Sequence, residues 1–267
     1  MIYVQSDNVR LAVYEYQPNA KKTVLLVHGW PFSHEIFEYQ IRPLTELGFR
    51  VVAPDLRGFG ASDSPAFGYG YDQMAGDLYN IVASLNLSSF ALAGFSMGGA
   101  VALRYMRLYG GYGVKKLILF AAAAPCFVRR PDFSAGMSPK AVEELIARAK
   151  CDRPGLIREF CQQQLFARPH GQPATDWLEH IALSSSGIGT VRAACSLRDE
   201  DGRADPESVN VPAFLLYGKK DSIVSNELAM TLYRSIRNAR LFWLEQSGHG
   251  IFYDELEEFN RIFFDCL

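Results

Sequence analysis

The stretch Phe90-Ala91-Leu92-Ala93-Gly94-Phe95-Ser96-Met97-Gly98-Gly99-Ala100 constrains this chain more than any other. An apolar run suited to a strand, from about Phe90 to Ala93, has to reverse into an apolar helical pattern from about Gly98. A reversal that sharp forces Ser96 into a strained backbone with its hydroxyl at the tip of the turn. The glycines two positions before and after the serine are what the turn needs, because a Cβ at Gly94 or Gly98 would collide with the adjoining strand or helix. G-x-S-x-G is a common string, so its meaning depends on whether a base and an acid follow at suitable places.

The rest of the chain supplies a frame for such a turn. Ile2 to Val4 and Val9 to Tyr16, separated by Ser6-Asp7-Asn8, read as an opening hairpin. Thr23 to Val27 is a continuous apolar run of the kind found in a strand buried on both faces, and it ends in His28-Gly29-Trp30-Pro31. Helical spacing follows through Ile36, Phe37, Ile41 and Leu44, and Phe49 to Ala53 gives the next strand. Asp72 is placed to cap a helix from about Gln73 to Leu85. Further strands are expected at Lys116 to Phe120, Ala213 to Gly218 and Arg240 to Leu244, with a closing helix from Leu256 to Cys266. Between about residues 126 and 207 only helical stretches appear, at Pro139 to Lys150, Gly155 to Leu165, Thr175 to Ser184 and Thr190 to Leu197. The expected organisation is therefore a core of residues 1–125 and 208–267, with a mostly parallel central sheet flanked by helices. A helical cap, residues 126–207, is inserted after the sixth strand and lies over the site.

Composition narrows the chemistry. Lys plus Arg number 27 against 29 Asp plus Glu, a net charge of −2, so no polyanion-binding surface and no nucleic-acid partner is expected. The five cysteines, Cys126, Cys151, Cys161, Cys195 and Cys266, include no C-x-x-C pair, which argues against a zinc cluster or a disulfide framework. No metal and no cofactor is expected. The first residues lack a basic segment followed by an apolar one, and no run approaches a membrane span, so a cytoplasmic protein with no membrane partner is the expectation. The Gly58-Phe59-Gly60 loop lacks the third glycine and does not open into a helix, so it makes a poor dinucleotide site.

Strands alternating with helices collect functional groups just beyond the carboxyl ends of the strands. Ser96, Asp221 and His249 each follow a strand by a few residues. A serine hydroxyl is a poor nucleophile at neutral pH and needs a base within hydrogen-bond reach; His249 is the candidate base, and Asp221 would orient its imidazole. The oxyanion formed by attack needs N–H donors. The backbone of Met97 follows the nucleophile directly, and a second donor is expected at Trp30 in the loop after an earlier strand. His28 reads as a structural loop residue rather than a catalytic one, and His34, His170 and His180 show no partner spacing and read as surface or packing residues.

These residues carry a resemblance. His28-Gly29-Trp30-Pro31, Asp55-Leu56-Arg57-Gly58-Phe59-Gly60-Ala61-Ser62-Asp63, Tyr69-Gly70-Tyr71-Asp72, Gly94-Phe95-Ser96-Met97-Gly98-Gly99, Asp221-Ser222-Ile223-Val224 and Gly248-His249-Gly250 span nearly the whole chain. It resembles the α/β-hydrolase superfamily, most closely the bacterial arylesterases and cofactor-free haloperoxidases, which are perhydrolases. The resemblance implies an α/β-hydrolase fold, Ser96 as nucleophile, His249 as base, Asp221 as acid, and Trp30 and Met97 as oxyanion donors. Ser225 stands where that group often has proline. The insert matches least, so the substrate is the least determined feature.

The function expected is a serine hydrolase cleaving small, fairly apolar carboxylic esters through an acyl-enzyme. Phe32, Phe95, Phe127, Ile223, Ile251 and Phe252 are candidates for an apolar substrate pocket. The same residues would serve a perhydrolase, a lactonase or a carbon–carbon bond hydrolase, and a ligand receptor or signalling protein on this fold is the alternative of another class. The oligomeric state is open.

Overall fold

The strands β1 (Ile2–Ser6), β2 (Val9–Tyr16), β3 (Lys22–Val27), β4 (Phe49–Pro54), β5 (Phe90–Phe95), β6 (Val114–Phe120), β7 (Ala213–Gly218) and β8 (Ala239–Leu244) form one sheet. In the computed structural model, which describes residues 1–267, its order is β1-β2-β4-β3-β5-β6-β7-β8. The hairpin β1-β2 is antiparallel, as is β2 against β4, and every pairing from β4 to β8 is parallel. All six residues of β5 are buried, which explains its unbroken apolar sequence: a strand covered on both faces has no position for a polar side chain.

The connections include helices α1 (Glu38–Glu46), α2 (Tyr71–Ser84) and α3 (Met97–Leu108). The strand order reverses between β3 and β5. From β3 the chain crosses to β4 on one side, and it returns through α2 to β5 on the other. Loops leaving two strands at such a point diverge and open a crevice beyond their carboxyl ends. The His28-Gly29-Trp30 loop and Ser96 leave from these two strands.

Between β6 and β7 lie the helices α4 (Pro139–Cys151), α5 (Arg153–Glu159), α6 (Gln172–Ser184) and α7 (Gly187–Asp199). The run expected as one helix from Gly155 to Leu165 divides after Glu159 into a wide π turn, Phe160–Gln164, closed by the Leu165 N–H on the Phe160 carbonyl. The chain ends with α8 (Asn226–Ser235), α9 (Ile251–Asp254) and α10 (Leu256–Cys266). The inserted helices share one continuous apolar core with the sheet. No helix is long and apolar enough to cross a membrane.

The glycine-rich loop after β4 has a packing explanation. Gly58 has φ +85°, and a Cβ there would come within 2.7 Å of the Gly189 Cα at the start of α7. The Gly58 carbonyl accepts hydrogen bonds from the N–H and the hydroxyl of Ser186, each 3.0 Å long, so the loop is a seat for α7. Asp72 does not cap α2. That helix starts two residues earlier than expected, at Tyr71 with Gly70 at its N-cap, and the Asp72 carboxylate instead pairs with Arg104 of α3.

Arg57 anchors the same loop through a buried two-pronged ion pair. Its Nε and Nη2 each lie 2.6 Å from the Asp77 carboxylate of α2, which also accepts from the Ser6 hydroxyl. Both side chains are almost wholly buried. Removing one partner strands the other charge away from water, at a cost of about 3–5 kcal/mol. Asp77→Ala should therefore lower the urea unfolding midpoint by an equivalent amount, and a loss below about 1 kcal/mol, the range of exposed pairs, would contradict the assignment.

Candidate active site

The turn between β5 and α3 carries Ser96 at φ 52° and ψ −118°, a conformation in which a non-glycine side chain is strained. Its surroundings impose that strain. The Ser96 N–H donates to the Phe120 carbonyl at 2.8 Å, and the Ser96 carbonyl accepts from the N–H groups of Gly99, Ala100 and Ala123. A Cβ on Gly94 would come within 2.5 Å of the Gly98 carbonyl oxygen, which is the collision expected from the sequence.

Ser96, His249 and Asp221 meet in one hydrogen-bonded chain. The Ser96 hydroxyl lies 3.0 Å from His249 Nε2, and His249 Nδ1 lies 2.8 Å from Asp221 Oδ2. The other carboxylate oxygen of Asp221 accepts from the N–H groups of Ile223 and Val224 at 2.8 and 2.9 Å, so the side chain has no freedom to rotate. A buried carboxylate accepting from Nδ1 assigns the proton to that nitrogen, which leaves Nε2 to accept from the serine. Phe95 packs its ring 5.0 Å from the imidazole.

Ser96 and His249 open into a cavity of about 40 Å³ that Trp30 also lines. Neither the Trp30 N–H nor the Met97 N–H donates to any other group of the protein. The Trp30 indole is fixed by its Nε1–H, which donates to the Thr190 carbonyl of α7 at 2.9 Å.

Of the six pocket candidates, Phe127 and Ile223 line the cavity. Phe32, Phe95, Ile251 and Phe252 do not: each is at most 1% exposed, and they form the packed layer behind the site. Phe32 backs Phe160 at 5.9 Å, and Phe95 and Phe252 meet edge to face at 5.0 Å. The inserted segment supplies the walls that sequence reasoning missed, namely Met137, Leu145, Phe160, Gln164 and Leu197. Two of these, Phe160 and Gln164, stand at the ends of the π turn, a local irregularity that recurs at functional sites and has no simple sequence pattern.

Two histidines expected to lack partners have them. His34 donates from Nδ1 to the buried Asp55 at 2.7 Å and stacks on Tyr14, while His170 Nε2 lies 2.9 Å from Asp254. Burial alone would push the Asp55 carboxyl up, but the hydrogen bonds and charge of His34 hold it below the usual value. No group of three or more His, Cys, Asp or Glu is arranged to hold a metal ion, and all five cysteines are free.

The alpha/beta hydrolase fold family matches residues 22–256, and the chain belongs to that family of hydrolases. It is 40% identical to the AB hydrolase superfamily protein YisY of Bacillus subtilis (strain 168) over 90% of each chain. Among solved structures, it is similar to an esterase from Exiguobacterium antarcticum, at 37% identity and a TM-score of 0.95, over 98% of this chain and 97% of the other. It is also similar to a bromoperoxidase from Bacillus anthracis, at 27% identity and a TM-score of 0.94, over 99% and 98%.

His28, fully buried, ties the Trp30 loop to the end of β4. Its Nδ1 faces the Gly29 carbonyl at 3.0 Å, and its Nε2 accepts the Leu56 N–H at 2.9 Å. Burial disfavours the imidazolium, and a proton on Nε2 would face another N–H, so the side chain is pushed down to about 4. The unfolded chain then binds a proton that the folded chain refuses. Stability from this residue is complete above about pH 6.5 and falls away as the pH drops toward 4, by about 3 kcal/mol in all. Urea unfolding of the wild type and His28→Asn across that range should show the extra loss in the wild type alone; parallel curves would contradict it.

Proposed function

We propose that the protein is a carboxylic ester hydrolase working through an acyl-enzyme on Ser96. The observation that carries this reading is the chain from Ser96 through His249 to Asp221, opening into a cavity beside two unengaged backbone N–H groups. Ser96 Oγ attacks the ester carbonyl as His249 Nε2 takes its proton, and the negative charge on the former carbonyl oxygen is met by the N–H groups of Trp30 and Met97. Asp221 holds the Nδ1–H tautomer and stabilises the imidazolium. The tetrahedral centre collapses by expelling the alcohol, which takes the proton from Nε2. Water then attacks the acyl-serine with His249 again as base, releasing the carboxylic acid and the serine hydroxyl.

Substrate size follows from the walls. Seven of the ten lining residues are hydrophobic, and about 40 Å³ accommodates an acyl group of only a few heavy atoms. In this reading the helical insert, residues 126–207, is the cap that sets acyl length, since Met137, Leu145, Phe160, Gln164 and Leu197 all belong to it. The likeness to a bromoperoxidase supports a second reaction at the same serine, in which hydrogen peroxide replaces water and the product is a peracid.

Turnover of p-nitrophenyl esters from acetate to decanoate tests both points. Acetate and butyrate should be cleaved best, with Ser96→Ala reducing turnover at least about 10⁴-fold. Leu197→Ala, which enlarges the cavity, should move the optimum to longer chains. Undiminished turnover in Ser96→Ala would overturn the mechanism, and an unchanged chain-length profile in Leu197→Ala would overturn the role given to the insert.

A further inference from the structure

Two carboxylates outside the hydrogen-bonded chain just described hold the segment that leads into His249: Glu255 Oε2 accepts the Gln246 N–H and the Ser247 hydroxyl at 2.8 and 2.7 Å, and Asp254 takes the residue next to the base. Asp254, on α9, has a side chain with no solvent exposure. One of its oxygens, Oδ2, accepts the Gly248 N–H at 2.7 Å and the Ala167 N–H at 2.8 Å. The other, Oδ1, lies 2.9 Å from His170 Nε2. Gly248 is the residue before His249, whereas Ala167 and His170 belong to the insert between the π turn and α6. The two segments are threaded tightly together. The Gly250 N–H donates to the Leu165 carbonyl at 2.7 Å, and a Cβ on Gly248 would come within 2.7 Å of the Ala167 nitrogen. His170 is sandwiched between Phe166 and Tyr253, at 4.4 and 5.2 Å.

We propose that Asp254 is a positioning residue for His249, fixing the base through the Gly248 N–H and tying it with the same oxygen to the inserted segment at Ala167. The physical reason is that two N–H donors from different parts of the chain share one acceptor atom. Neither can shift without stretching its own bond or dragging the carboxylate along, which would lengthen the bond of the other, and His170 on the second oxygen opposes that movement. A buried charge-assisted acceptor of this kind is stronger than a neutral one, and leaving its donors unpaired costs their full desolvation. The seating of the insert and the aim of His249 Nε2 at Ser96 are thereby one variable. A displacement of the base by about 1 Å costs about a hundredfold in rate, so the junction controls kcat more than substrate affinity. This inference rests on the proposed role of His249.

The test compares Asp254→Ala and Asp254→Asn with the wild type by three readouts. These are amide hydrogen exchange at Gly248 and Ala167, the low-field proton resonance of His249 Nδ1–H, and kcat and KM for p-nitrophenyl acetate. In Asp254→Ala both amides should exchange faster together, the resonance should broaden or vanish, and kcat should fall about tenfold to a hundredfold with KM little changed. In Asp254→Asn the remaining carbonyl oxygen can accept from both N–H groups while its amide faces His170. Both amides should then stay protected, with most of kcat retained. That variant alone decides the matter should Asp254→Ala fail to fold: both amides protected in Asp254→Asn with the resonance and kcat lost, or both amides unprotected with the resonance and kcat of the wild type, would overturn the proposal. So would a folded Asp254→Ala with the resonance and kcat of the wild type, or amides that respond independently. Absence of ester turnover in the wild type would sink the esterase reading alone, because the exchange and resonance measurements do not depend on it.

Discussion

A serine held at a positive φ is the constraint on which the remainder of the structure depends. Ser96 cannot relax because its N–H is bound to Phe120 in β6 and its carbonyl to the first turn of α3 and to Ala123. That grip exists only where β5 is flanked by parallel neighbours ending level with it. The buried parallel sheet, the reversal of strand order beside β5 and the small residues around the turn all serve the same placement. Two further strand ends deliver Asp221 and His249 into the same crevice, although 125 and 153 positions separate them from Ser96.

The elements around the crevice are linked to each other more closely than to solvent. Trp30 is fixed by α7 through Thr190, α7 rests on Gly58 of the loop after β4, and His28 binds the Trp30 loop back to Leu56 in that same loop. On the opposite side, the Gly248–Gly250 segment is threaded through the chain at Leu165–Ala167. The inserted helices therefore do two kinds of work. They form the wall of a small apolar cavity, and they brace both the Trp30 loop and the segment that bears His249.

What was legible in the sequence divides along the line between local and tertiary causes. The turn at Ser96, the strands and the order of serine, aspartate and histidine are written in short segments, because glycine spacing and apolar runs act over a few residues. Phe32, Phe95, Ile251 and Phe252 could be placed near the site but not on one side of it. An aromatic ring that lines a cavity and one that supports it have the same local pattern, and only the fold separates them. His34 with Asp55 and His170 with Asp254 were illegible for a related reason: their partners lie 21 and 84 positions away. Asp72 shows a local preference overridden, since a buried arginine outcompeted the helix N-terminus for its carboxylate.

The proposed mechanism makes Ser96 the nucleophile. Reaction with a fluorophosphonate, followed by peptide mass mapping and assay of p-nitrophenyl acetate hydrolysis on the same sample, tests it directly. One label per chain on Ser96, with ester turnover lost in proportion to labelling, is the predicted result. Quantitative labelling of Ser96 with turnover intact, or loss of turnover with the label on another residue, would contradict it.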